Sequence, residues 1–107
     1  QIMVAAQMAA LGELLILSQK SGVDPQKVVQ AIKDGAARCW ALDVKTPRLF
    51  SGNRQPGFKA YMQAKDMNIV LETAREYGVP LPATVNIRRP AAFSTISRGI
   101  MRRKKKW

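Results

Sequence analysis

The first twenty residues contain no proline and carry Met3, Val4, Met8, Leu11, Leu14, Leu15 and Leu17. On a helix of 3.6 residues per turn these positions reach most sides of the cylinder. A helix that is apolar nearly all round must be covered by its neighbours. The stretch therefore predicts a long, mostly buried helix on which the rest of the chain folds. Gln7, Gly12 and Glu13 interrupt the apolar run and no basic region precedes it. Neither a membrane span nor a secretory leader is expected, and the expected location is cytoplasmic. The helical pattern is already under way at Gln1 with no capping residue ahead of it, which predicts a helix that began further upstream.

Punctuation residues set the following elements. Gly22 supplies a left-handed stop, and Asp24-Pro25 is a helix start, the carboxylate accepting free backbone N–H groups and the proline occupying the first turn. Val28, Val29 and Ile32 give that helix an inward face, and Asp34-Gly35 closes it. Cys39 to Val44 predicts a short third helix ended before Pro47. Gly52, Asn53, Pro56 and Gly57 then mark a loop over 47–58. Lys59 to Tyr77 predicts a longer helix closed by Gly78, and Val79 to Pro82 reads as an extended connector to a last helical start near Ala83. On the longer helix, Met62, Ile69, Val70, Thr73 and Tyr77 form the expected inward sector, and Tyr61, Asn68, Glu72, Arg75 and Glu76 the polar one. No stretch alternates with period two for the length of a strand, so an all-α class is expected.

Composition narrows the function. The chain is 107 residues long and 47% hydrophobic, enough for one core. With one cysteine and no histidine, an internal disulfide, a zinc site and histidine-based catalysis are all unexpected. The net charge of +11 is unevenly placed: residues 1–87 hold ten cations against seven acids, and residues 88–107 hold eight cations and no acid. Two segments follow, a helical domain over 1–87 and a basic, flexible tail over 88–107. Arg102 to Lys106 would suit phosphates by charge, but the tail has neither interleaved aromatics nor a DNA-binding motif, so nucleic acid is not the expected partner.

Asp66 falls among apolar positions on the 59–77 helix. A buried carboxylate needs a cation or backbone donors, so it reads as an interhelical pin or as part of a site. Lys65 beside it is by default a solvated side chain.

The order of several short motifs resembles a known family. Gln1 to Glu13 followed by Lys20-Ser-Gly-Val-Asp-Pro25, Leu42-Asp43 to Pro47, the Pro56-Gly57-Phe58 turn, Lys65-Asp66, and Gly78-Val-Pro-Leu-Pro82 are similar, in order and spacing, to the β-hydroxyacid dehydrogenases. Among these the chain looks most like 2-hydroxy-3-oxopropionate reductases and then 3-hydroxyisobutyrate dehydrogenases. The resemblance implies the C-terminal multi-helix substrate and dimerisation domain of the 6-phosphogluconate dehydrogenase C-terminal-like type, without its Rossmann domain. It also implies an NAD- or NADP-dependent oxidoreductase acting, without metal, on a small β-hydroxyacid, and a homo-oligomer formed through the helices.

By the same resemblance Lys65 contacts the cofactor, Asp66 orients its helix, and Phe58 walls the cleft; Trp40 has two readings, cleft wall or core, and the core is expected. The family's catalytic lysine, with an asparagine four residues later, would precede Gln1, so no catalytic residue is expected here and the chain alone is expected to be inactive. The resemblance ends near residue 87. Two other classes stay open: a non-catalytic helical association module built on the Ile2–Leu17 helix, and nucleic-acid binding through the tail.

Overall fold

A computed structural model of the protein describes residues 1–53, 55, 57 and 59–88. The first helix, α1 (Ile2–Lys20), buries Ala5, Leu11, Gly12, Leu15 and Ser18. Around it lie α2 (Pro25–Ile32), α3 (Trp40–Phe50), α4 (Ala60–Glu76) and α5 (Pro82–Arg88). Among the described residues there is no strand. α1 touches each of the other four helices, as an all-round apolar helix must. By length and a mean hydropathy of 1.5, α1 is long and apolar enough to cross a membrane, and 28% of that stretch is buried, less than the mostly buried helix that the sequence predicts. One cluster holds the core: Leu11 and Leu15 of α1, Val29 of α2, and Ala41 and Leu42 of α3, with Met8, Ile32, Leu49 and Phe50 against it. α5 closes the opposite side, resting on α1 and α4 and burying Thr84.

Polar groups of α1 take part in this packing. The Gln7 side-chain Oε1 accepts the backbone N–H of Ala41 at 3.2 Å. The residue flanking α3, Cys39, offers no side-chain cap, so a glutamine 34 positions away satisfies one of the donors that a helix start leaves free. At α2, Asp24 does this locally, its Oδ1 accepting from the Gln26 N–H at 2.9 Å.

The third helix corrects the sequence reading, because it runs through Pro47 to Phe50 instead of stopping before the proline. Proline removes one i to i−4 hydrogen bond and crowds the carbonyl at i−4, here Asp43. Asp43 and Pro47 are both exposed, on the side of the helix where a carbonyl that lacks its partner is least costly. On the inner side of the same turn, buried Thr46 donates its hydroxyl to the Leu42 carbonyl at 2.5 Å. The helix stops at Gly52, whose φ is +78°. There the Asn53 N–H donates to the Arg48 carbonyl at 3.0 Å, the six-to-one bond of a glycine-terminated helix. The same closure ends α1 at Gly22 and α4 at Gly78, with Val23 N–H to Ser18 O and Val79 N–H to Ala74 O.

The face of α4 is also corrected. Met67 and Leu71 are the buried residues, and Gln63, Val70 and Ala74 flank them at partial exposure. Ile69, Thr73 and Tyr77, expected inside, are exposed. The basic tail lies outside the described residues except for Arg88, the last residue of α5.

Because Pro47 interrupts an exposed turn that its neighbours hold helical, Pro47→Ala is expected to stabilise the protein by about 1–2 kcal/mol. That is less than the ~3 kcal/mol helix-interior difference, because alanine also loosens the unfolded chain. A rise in the urea midpoint with an unchanged denaturant slope checks it.

Candidate functional site

Burial of Met67 and Leu71 fixes the roll of α4 and so decides where its charged residues point. Lys65 stands two residues, and so roughly 160° around the helix, from Met67, and its side chain is 65% exposed. Tyr61 lies one turn before it and Ile69 one turn after, both exposed large side chains. Asp66 sits at the margin between this outward face and the core, its side chain 24% exposed. Lys65 Nζ is 3.7 Å from Asp66 Oδ1. That separation is an ion pair and too long for a hydrogen bond, so the ammonium keeps its donors for another acceptor.

The charge along this face is graded. Lys59 flanks the start of α4, its Nζ 5.9 Å from the centre of the Tyr61 ring, and the first turn holds no acid. Glu72 and Glu76 lie on the C-terminal half. The N-terminal half therefore presents an aromatic ring between two lysines. On the inner side of the same half, Gln63 Nε2 is a buried donor with no hydrogen-bond partner among the described residues.

Other expected positions fall elsewhere. Phe58 lies outside the described residues. Trp40, expected in the core, is 47% exposed, with Lys45 Nζ 5.1 Å from its ring centre. An apolar groove of about 700 Å³ runs between α1 and the α2–α3 connection, lined by Met3, Ala6, Ala10, Leu14, Cys39 and Leu42 among others. It contains neither Lys65 nor Asp66. Its sequence signal is the Ala6 and Ala10 pair, small residues one turn apart on α1.

Comparison with known proteins places these features in a family. A family model described as the NAD-binding part of NADP-dependent 3-hydroxyisobutyrate dehydrogenase matches residues 1–99. An uncharacterised oxidoreductase of Bacillus subtilis is 42% identical over 82 residues, 77% of this chain and 28% of that protein. The 2-hydroxy-3-oxopropionate reductase of Escherichia coli is 37% identical over 84 residues, 78% of this chain and 29% of that protein. The 2-(hydroxymethyl)glutarate dehydrogenase of Eubacterium barkeri is 33% identical over 84 residues, 78% and 28% respectively. The chain thus spans under a third of the length of these relatives.

The family description overturns one expectation. The helices were expected to form a C-terminal substrate and dimerisation domain of the 6-phosphogluconate dehydrogenase C-terminal-like type, whereas the matched family is NAD-binding. Helical periodicity reports which faces pack and is silent on what an outward face binds, so that assignment had no support in the pattern itself. The outward face of α4 suits a dinucleotide in its chemistry: Lys65 offers free donors to an anionic or carbonyl-rich edge, and Tyr61 and Ile69 offer surface to a flat ring.

The orphaned amide of Gln63 tests whether that inner position is structural. Gln63→Met is expected to leave stability unchanged or raise it by up to about 1 kcal/mol, because an unpartnered buried donor is removed. Thermal or urea unfolding measures it, and a loss of more than ~1 kcal/mol would show a partner for the amide.

Proposed function

The chain belongs to the family of NAD-binding segments of NADP-dependent 3-hydroxyisobutyrate dehydrogenase and related NAD(P)-dependent β-hydroxyacid dehydrogenases, and we propose that it forms one wall of the dinucleotide site in an oxidoreductase acting on a small β-hydroxyacid. The observation that carries this reading is Lys65, exposed on the outward face of α4 between Tyr61 and Ile69 and held beside Asp66 at 3.7 Å. In this reading Lys65 contacts the cofactor, and Asp66, by pairing with it, limits the directions in which the ammonium can point. The relative named 2-hydroxy-3-oxopropionate reductase supports a substrate of that size and charge. The cofactor supplies hydride transfer when bound; the residues described here bind and orient it.

Titration of NADPH and NADH fluorescence with the 107-residue chain, at physiological ionic strength to suppress binding by the tail, tests the reading. Lys65→Ala is expected to weaken binding about tenfold or more, the scale of one hydrogen bond to a charged group, and Lys65→Arg to restore part of it. Unchanged affinity in Lys65→Ala would remove Lys65 from the site. The chain alone is expected to bind without turning over 2-hydroxy-3-oxopropionate.

A second reading, association through α1, is favoured by the apolar groove and by Ile2, Met3 and Leu17, which are exposed on α1. Apolar surface of this kind drives self-association. Sedimentation velocity across a concentration range is expected to show a dimer or larger species, and Met3→Lys, which puts a charge into the groove, is expected to shift it toward monomer.

A further inference from the structure

A second basic cluster stands apart from the face of Lys65. Residues 44–65 carry Lys45, Arg48, Arg54, Lys59 and Lys65 with no acid among them. Two of these converge. Lys45 and Arg48 are three apart on α3 and therefore lie on one side of it. Both reach the loop beyond: from the point where a Cβ on Gly57 would stand, Arg48 Nη1 is 2.7 Å away and Lys45 Nζ 3.4 Å. The two cationic heads thus lie no more than about 6 Å apart, where like charges repel strongly unless water or a counter-ion screens them.

The surroundings hold both heads in place. Arg48 Nη2 donates to the Gln55 carbonyl at 2.6 Å. The Arg48 carbonyl accepts from the Asn53 N–H and from the Ser51 hydroxyl, each at 3.0 Å, and Asn53 Oδ1 accepts from the Gln55 N–H at 2.9 Å. Lys45 is half-buried, its ammonium over the Trp40 ring at 5.1 Å. A pocket of about 160 Å³ opens at the pair, lined also by Met8, Leu49 and Asn53 and by no carboxylate. A guanidinium with one bond to the loop retains further donors in a planar fork. Two fixed cations beside apolar walls are an arrangement that an anion stabilises.

We propose that Lys45 and Arg48 form a binding site for a small oxyanion, a carboxylate or a phosphate. The pocket is well below the ~300–1,000 Å³ of sites that enclose a whole drug-sized ligand, so it takes one charged group of a molecule. Two sources carry such a group in a dehydrogenase of this family, the substrate carboxylate and the phosphates of the dinucleotide. A methyl group at Gly57 would stand 2.7 Å from Arg48 Nη1, so that head would have to move aside. The site does not depend on the role of Lys65, since inorganic phosphate has neither ring nor ribose for α4 to meet.

Equilibrium dialysis of labelled inorganic phosphate against the full 107-residue chain, at constant ionic strength, tests it. One saturable site per chain is expected. Lys45→Gln is expected to weaken it about tenfold or more, and Gly57→Ala, which keeps both cations but displaces Arg48, to weaken it as well. A triple change of Lys104, Lys105 and Lys106 to Gln is expected to leave the site intact. Urea unfolding supplies a check free of folding artefacts: phosphate should stabilise the wild type and not Lys45→Gln. Phosphate binding that survives Lys45→Gln, or that disappears with the tail lysines instead, overturns the proposal. Displacement of bound phosphate by 3-hydroxyisobutyrate identifies the carboxylate as occupant, and displacement by NADP the cofactor phosphate.

Discussion

Covering α1 is the constraint from which the other helix positions follow. Leu15 is fully enclosed and Leu11 nearly so; each such leucine contributes about 1.5–3 kcal/mol when removed from water. No single neighbour can cover a helix with apolar residues on most sides, and four helices share the task. α2 and α3 bury one side in the Leu11–Leu15–Val29–Ala41–Leu42 cluster, and α5 with α4 closes the other. Beyond α3, Asn53, Gln55 and Gly57 share a pocket with Met8 of α1, and Lys45 and Arg48 stand on its lining. The roll of α4 is set by Met67 and Leu71 in the same way, and Lys65 faces outward because those two face in.

Polar residues determine how this apolar packing is aligned. Gln7 looks like an interruption of the α1 pattern, yet its side chain caps α3. A hydrogen bond of this kind contributes only about 0.5–1.5 kcal/mol, but it ties α3 to a fixed height along α1, which non-directional hydrophobic contact cannot do. Thr46 acts within α3, holding the turn at the proline. Two polar groups thus fix the position of the helix that carries Trp40, Lys45 and Arg48.

What could be read from the sequence divides along local and tertiary causes. Gly22, Asp24-Pro25 and Gly78 marked helix ends correctly because each acts through its own backbone conformation or its own side chain. The end of α3 was misplaced because Pro47 was weighed by its local penalty. The buried Thr46, the packed Leu49 and Phe50, and the competing stop at Gly52 together outweigh it. The face of α4 was misread for a related reason. Ile69 and Tyr77 are apolar by composition, whereas which apolar residues face in depends on where α1 and α5 lie. Asp66 was picked out by its place on the helical wheel and Lys65 by family resemblance, while the Lys45–Arg48 pair carried no motif. A tally of signs along the chain would have shown its acid-free surroundings, but not that the two heads meet over Gly57.

The distribution of charge links the two basic sites to each other. Residues 44–65 hold no acid; Asp66 just beyond them pairs with Lys65, and the remaining cations repel one another in a compact fold unless something negative is near. Elsewhere in residues 1–87 acids and cations are interspersed, and acids could have been placed here at little expense in folding. The loop between α3 and α4 could have been neutral, since its turns need only glycine, asparagine and proline. Positive charge concentrated where α3 ends and α4 begins therefore answers to a ligand more readily than to the fold. An anion of the kind proposed for Lys45 and Arg48 would supply the charge that this segment lacks.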